Sequence, residues 1–514
     1  MLNPLENLDR SRSITDQVVD NVMEQVRVGQ LKPGERLPSI RAYAKSLGIN
    51  RNTVAGAFRE LAEKGVIESR FGGGSYVSPH ATLANSHREP PSERHRSEKE
   101  AGVFTEADWE LRFAHRLRGF LSRTGKAPFL QQETHQKINL FHLRPNTDSF
   151  PLEKFRQCMN TVLRRSGKYL LNYGAPSGYQ PLREQIAHRL RSTGLEVDTS
   201  QILITSGSQQ GIDLMARALL DPDDLVVVES PTYAIALKIF SANGARLISY
   251  AITPGGVSFK ALEGFHFQQS PKMFYAVPNF QNPTTHSYSI QEKESLLDQV
   301  YESGSLLIED AYYSELHDSP RPSIASLDGL ERVVHLNTFS KTMVPAVRVG
   351  YLVGPAPLVR KLTEMKEMTD LSHSLILQAA IAEFMERGYF DQHVNTIRQF
   401  YSHRMEQVAG LLQKALPEGI GFQNPGGGLF LWLDLPGHLD SDQIARTLRE
   451  RGVLVCPGSL FQPFPGGRNG LRLCIANESE SRLAEGIALV GEVLEQSLRQ
   501  PAPTEQDREY QATH

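Results

Sequence analysis

The sequence predicts an α/β body with a mainly parallel sheet, carried behind a small helix-turn-helix head. Three observations lead there. Six apolar runs, Ile202–Thr205, Leu225–Glu229, Met273–Val277, Leu306–Glu309, Val333–Leu336 and Val349–Val353, read as buried strands with helical stretches between several of them. Five basic residues (Arg36, Arg41, Lys45, Arg51, Arg59) lie between positions 36 and 59 with no acidic residue among them. Between head and body, SHREPPSERHRSEKE holds no apolar side chain other than its prolines. That stretch cannot bury enough surface to offset the entropy of ordering it.

A chain of 514 residues is too long for one core and divides into several units. Its 40% apolar and 22% charged residues are those of a globular protein, and no run approaches the length of a membrane span. The opening MLNPLENLDRSRS lacks the apolar stretch of a secretory signal, and a cytoplasmic protein is expected. Cys158, Cys456 and Cys474 fit neither a zinc spacing nor a disulfide framework and read as buried free thiols; no metal is expected. The predicted organisation is a head over 10–79, a flexible linker over 80–107, a body over 108–499 and a disordered tail over 500–514.

In the head, Ile14, Val18, Val22 and Val26 recur at helical spacing. Ser39 is the N-cap of a short helix over 40–47, Gly48 breaks it, Ile49 plugs the core, and Asn50 caps a second helix to about Lys64. VIESRFGGGSYVS then reads as two short strands around a glycine turn. Residues 29–77 resemble the GntR-type winged helix-turn-helix across the whole module. The resemblance implies Arg41, Asn50, Arg51, Asn52 and Thr53 as DNA-facing positions, with Gly73 at the wing tip. The chemistry agrees: a recognition helix presents free N–H groups to phosphate, arginine pairs with guanine and asparagine with adenine. A protein-docking winged helix is the alternative, and the placement of the basic stripe argues against it.

In the body, each chemistry-bearing fragment stands just past a predicted strand, where ligands sit in parallel sheets. They are SGSQQG after Thr205, PNFQNPTT after Val277, DAYY after Glu309 and NTFSKTMVPAVRVGY after Leu336. With NYGAPSGYQPLR, ESPTY and LRLCIA, the set resembles the fold type I, class I aminotransferases, which carry pyridoxal 5'-phosphate (PLP). That resemblance implies that Lys341 forms the Schiff base and Asp310 pairs with the pyridinium nitrogen. Asn282 and Tyr313 would hold the 3'-oxygen, and Tyr233 would stack on the ring. Ser208, Gln209, Thr338, Ser340 and Arg348 would bind the phosphate, and Tyr173 would reach the partner subunit's phosphate. Arg472 would bind a substrate or effector carboxylate. Thr285 and Ala346 stand where the family pattern has glycine.

The head-first order resembles the MocR/GabR regulators. The expected function is a homodimeric, DNA-binding transcription regulator that binds an operator in double-stranded DNA and senses an amine or amino acid effector. An aminotransferase with an accessory DNA-binding head is the alternative, since the complete residue set leaves turnover open. An enzyme, however, has no use for a basic recognition helix.

Overall fold

The computed structural model describes residues 13–27, 30–32, 34–63, 66–70, 74–78, 112, 137–262, 270–316 and 321–499. Gly73, the linker over 80–107 and the tail over 500–514 lie outside the described residues. The chain divides into two compact units, Met1–Val103 and Phe104–His514.

The head is built as the sequence predicts. Helix α1 (Ile14–Arg27) is followed by α2 (Ile40–Leu47), α3 (Arg51–Glu63) and the strands β1 (Ile67–Arg70) and β2 (Gly74–Val77). Ser39 caps α2, its hydroxyl accepting from the Ala42 N–H at 3.2 Å. Gly48 ends α2 at φ 64°, a conformation that a side chain disfavours. The Asn50 side-chain oxygen accepts from the Asn52 N–H at 2.9 Å at the start of α3. Val18 and Val22 pack with Val54, Ala57, Phe58 and Leu61 in one core, against which Val26 and Ile49 are partly buried. Strands β1 and β2 pair antiparallel, Ile67 opposite Val77 and Arg70 opposite Gly74.

The body centres on eight strands in the order β4-β11-β10-β9-β8-β5-β6-β7. These are β4 (Ile202–Thr205), β5 (Leu225–Ser230), β6 (Arg246–Thr253), β7 (Gly256–Ser258), β8 (Met273–Ala276), β9 (Leu306–Asp310), β10 (Val333–Thr338) and β11 (Gly350–Val353). All six predicted strands are present. The pairs β5/β6, β5/β8, β8/β9 and β9/β10 are parallel. β11 runs antiparallel to both β10 and β4, and β7 antiparallel to β6. Alternate residues serve opposite faces. Val227, Phe274 and Leu307 pack with the helices Gln180–Ser192, Ile290–Glu302 and Leu375–Glu386. Val226, Tyr275 and Ile308 pack with Ser208–Leu219, Ala234–Ala242 and Ala356–Asp370.

A second sheet, β12 (Gly421–Phe422), β13 (Phe430–Asp434), β16 (Gly470–Cys474) and β15 (Cys456–Pro457), is antiparallel throughout. A short parallel pair joins β3 (Ile138–Asn139) to β14 (Val453–Leu454). The long helices Tyr389–Ala415 and Glu480–Arg499 cover this region with Met405, Leu412, Ile487 and Val490. The body's chemistry lies between the two sheets.

Candidate active site

A cavity of about 220 Å³ is walled by Phe141, His142, Leu143, Arg144, Ser208, Tyr233, Ile235, Asn282, Asp310, Tyr312, Thr338, Lys341 and Arg472. Seven of the sequence-predicted residues are therefore on one wall: Ser208, Tyr233, Asn282, Asp310, Thr338, Lys341 and Arg472. Topology brings them there. Asp310 and Thr338 are the last residues of the parallel strands β9 and β10, and Ser208 starts the helix after β4. Tyr233 is the N-cap residue of the helix after β5, and Asn282 follows β8. Arg472 comes from β16 in the other sheet.

Lys341 stands on a four-residue helix capped by Thr338, whose hydroxyl accepts from the Ser340 N–H at 3.2 Å. Its ammonium donates to the Leu143 carbonyl at 2.6 Å. Burial, reinforced by the guanidiniums of Arg472, Arg348 and Arg144, pulls the Lys341 pKa down to about 8. Asp310 is buried, and burial pushes its carboxyl up to about 6. Its Oδ2 accepts from the Tyr275 hydroxyl at 2.9 Å, while Oδ1 has no partner in the chain. Arg472 donates from Nη1 to Asn282 Oδ1 at 2.9 Å and from Nη2 to the Phe141 carbonyl at 3.1 Å. Gln209 donates to the Tyr233 hydroxyl at 2.9 Å, which fixes that ring.

Arg348 and Ser340 flank the cavity without lining it. Arg348 takes φ 44° and donates from Nη2 to the Ser206 carbonyl at 2.7 Å. Gly207 has φ 105°, and a Cβ there would come within 3.0 Å of Arg348 Nη2. The Ser206–Ser208 turn thus opens its backbone toward the guanidinium only because residue 207 is glycine. Ser340 Oγ is buried with no partner in the chain.

One residue is placed differently from the sequence expectation, and one lies where a role in a partner's site would need it. Tyr313 does not line the cavity. It is wholly buried, its ring packed on Phe280 and Phe430, and Tyr312 takes the wall position. The hydroxyls of both Tyr312 and Tyr313 are buried with no partner in the chain, so the cavity lining alone separates them. Tyr173 is 81% exposed and lies outside this chain's own cavity. Arg144 on the wall was missed by the sequence reading. The signal was its place in the FHLRP segment, 197 positions from Lys341 in sequence.

The two glycine-site departures also resolve. Thr285 adopts φ 63°, the left-handed region where glycine is unstrained, and is held by its N–H to the Gln281 carbonyl at 2.7 Å. Ala346 sits exposed in the 3₁₀ turn Pro345–Val347 without a positive φ, so nothing there requires glycine.

The head's predicted residues are on its surface. Arg41, Asn50, Arg51 and Asn52 are exposed and Thr53 is partly buried, with Arg51 the first residue of α3.

The residues fit PLP on three observations. Asp310 Oδ1, the Tyr312 hydroxyl and Ser340 Oγ are buried polar atoms unsatisfied by the chain, as a bound polar ring and phosphate would require. The Gly207 turn beside Arg348 is a cradle that a Cβ would fill. A lysine with a lowered pKa completes the donor set.

Residues 140–490 match the family described as aminotransferase class I and II, and residues 14–77 match the bacterial regulatory proteins of the gntR family. The chain belongs to the aminotransferase class I and II family, whose members depend on PLP, and carries a gntR-type helix-turn-helix head; this is the build of a DNA-binding transcription regulator. It is 27% identical to the probable rhizopine catabolism regulatory protein MocR of Rhizobium meliloti, over 93% of this chain and 94% of that one. Its body is 31% identical to the 2-aminoadipate transaminase of Thermus thermophilus, over 68% of this chain and 88% of that one. Among solved structures, the kynurenine aminotransferase of Pyrococcus horikoshii superposes with a TM-score of 0.69 at 31% identity, covering 77% of this chain and 98% of that one. No described helix is long and apolar enough to cross a membrane.

Proposed function

We propose that this protein is a cytoplasmic, homodimeric regulator whose body holds PLP on Lys341 and senses an amine or amino acid, changing how the head over 10–79 binds its operator. The observation that carries the reading is the pair of unsatisfied buried polar atoms at Asp310 and Tyr312 in the cavity that Lys341 lines, with the unsatisfied Ser340 hydroxyl next to Lys341 in the chain.

PLP supplies an aldehyde that captures primary amines and a ring that withdraws electrons. The chain's residues do the rest. Lys341, with its pKa near 8, has a neutral nucleophilic fraction at physiological pH. Asp310 would hold a proton on the ring nitrogen through Oδ1, with Oδ2 held by Tyr275. Asn282 and Tyr312, which line the cavity where Tyr313 does not, would hold the 3'-oxygen. Tyr233, steadied by Gln209, would stack on the ring. Ser208, Gln209, Thr338, Ser340 and Arg348 would hold the phosphate. Arg472 offers its guanidinium to the effector's carboxylate.

Tyr173, exposed and remote from its own cavity, completes the site of a second copy. Tyr169, Leu171, Met368 and Leu371 are exposed apolar side chains near it in sequence or across the Ser372 contact to the Gly174 N–H at 3.1 Å. In the head, Arg41, Asn50, Arg51, Asn52 and Thr53 would face DNA.

The test is anisotropy of the purified protein on DNA from upstream of its own coding region, with and without PLP and a panel of amines. A coupling of about 1–3 kcal/mol would shift affinity roughly five- to 150-fold. Equal affinity under all conditions refutes the sensing reading. The second reading, a working aminotransferase with an accessory head, draws on the same lowered Lys341 pKa, and keto acid-dependent turnover would support it.

A further inference from the structure

The Ser206–Ser208 turn beside Arg348 is held from behind by side chains that lead away from the cavity. No side chain caps the helix Ser208–Leu219 at Gly207. The first N–H groups of such a helix are left for an anion. The peptides before them are fixed instead. The Gly207 carbonyl accepts from the Thr205 hydroxyl at 3.0 Å, and the Ser206 carbonyl accepts from Arg348 at 2.7 Å. The Ser206 N–H donates to Gln210 Oε1 at 2.8 Å, and Gln210 Nε2 donates to Asp370 Oδ2 at 2.8 Å. Asp370 Oδ1 accepts from Lys366 Nζ at 2.9 Å, and the same ammonium donates to the Pro176 carbonyl at 3.3 Å.

The order of these contacts has a chemical meaning. A glutamine amide has nearly the same shape with its oxygen and nitrogen exchanged. A carboxylate only accepts, so Asp370 compels Gln210 to turn its nitrogen outward and its oxygen to the Ser206 N–H. The other way round, donor would meet donor at Ser206 and acceptor would meet acceptor at Asp370. Lys366 in turn fixes Asp370. Asp370 is the last residue of the helix Ala356–Asp370 and its side chain is 27% exposed, whereas that of Lys366, one turn earlier, is 1% exposed. A lysine is buried so completely only where it is paired, and burying such a pair is a poor source of stability. Its use is positional.

We infer that Lys366 and Asp370 are positioning residues for the cofactor phosphate: acting through Gln210, they set the Ser206 peptide and so aim the turn. This rests on the binding of PLP at Lys341 proposed above, and gives a role to a pair outside the cavity wall.

The experiment uses the full-length protein stripped of cofactor. Binding of PLP is compared with binding of pyridoxal, which has the ring and aldehyde without the phosphate, by the visible band and by fluorescence titration. The variants are Gln210→Met, the pair Lys366→Met with Asp370→Ala, which leaves no buried ammonium unpaired, and all three changes together. Circular dichroism checks the fold. Where the pair variant does not fold, Asp370→Asn, which keeps the shape and removes the charge, takes its place under the same criteria. Gln210→Met and the pair variant should each weaken PLP binding roughly tenfold, the worth of one lost hydrogen bond. Both should leave pyridoxal affinity within about twofold of wild type, and the three changes together should cost no more than either alone, since links of one relay do not add. Unchanged PLP affinity in either variant, or equal losses for PLP and pyridoxal, overturns the inference and leaves PLP binding at Lys341 standing. Losses that multiply in the combined variant overturn it too, because the pair would then act through Pro176 and the Tyr173 segment rather than through Gln210. If PLP gives no visible band with wild type, the PLP reading falls and the inference with it.

Discussion

The lowered pKa of Lys341 makes a quantitative prediction for cofactor capture. Only the neutral amine attacks an aldehyde. With a midpoint of about 8, roughly a quarter of Lys341 is neutral at pH 7.5. A lysine at its ordinary 10.5 would be neutral in about one part in a thousand, so the site gains roughly 200-fold in reactive amine. The sign follows from burial and three nearby guanidiniums, all of which disfavour the ammonium. The cofactor is stripped, and its recapture is followed by stopped-flow absorbance from pH 7 to 10. The rate should rise about tenfold between pH 7 and 9 and then level off. An ordinary lysine would instead rise about hundredfold over that interval and go on climbing. Arg144→Gln, which removes one of the cations, should move the midpoint upward. A rate that climbs without a plateau to pH 10, or a midpoint indifferent to the Arg144 charge, would refute the electrostatic account of this lysine.

Other outcomes are expected. Gly207→Ala forces a side chain into φ 105° against Arg348, and should weaken PLP binding by about 1–3 kcal/mol by fluorescence titration, with the fold intact by circular dichroism. Tyr312→Phe should shift the cofactor's absorbance band while Tyr313→Phe leaves it in place; the reverse result would return the 3'-oxygen role to Tyr313. Arg51→Ala should cost about 1–3 kcal/mol of operator affinity if it reads guanine, and wild-type affinity with an unchanged salt slope would place DNA on another surface. Glu229 is wholly buried and accepts from Val277 N–H, Thr232, Tyr288 and Gln281, yet burial lifts its carboxyl to about 7. The folded state therefore binds the extra proton between pH 4.5 and 7, so Glu229 should erode stability by about 3 kcal/mol as pH rises through that window. Denaturant melts should show this drift in wild type and lose it in Glu229→Gln.

Sequence alone determined what local chemistry controls. The head's caps at Ser39, Gly48 and Asn50 depend on residues within a turn of one another, and the structure keeps them. The six apolar runs of the large sheet are buried on both faces, so period and length sufficed to find them. Six of the seven wall residues lie at or follow the C-terminal ends of these strands, and Arg472 comes from the second sheet. The edge pair β6 and β7 was not legible, because a half-exposed strand shows no continuous apolar run. The direction of β11 was not legible either, since burial is the same whichever way a strand runs.

Tertiary structure decided the finer matters. Tyr312 and Tyr313 are adjacent and chemically identical, and both follow Asp310. Which one reaches the cavity depends on how the chain leaves β9, and that is set by packing of Tyr313 between Phe280 and Phe430, residues from distant strands and loops. Thr285 occupies a glycine conformation because the Gln281–His286 loop closes by hydrogen bonds around it, including the Gln281 N–H to the His286 carbonyl at 2.8 Å. Arg144 joins Lys341 only through β3, whose partner β14 lies more than three hundred residues along the chain. A sequence pattern records spacing along the backbone, whereas cavity walls are made by elements that meet because their apolar faces must be buried together.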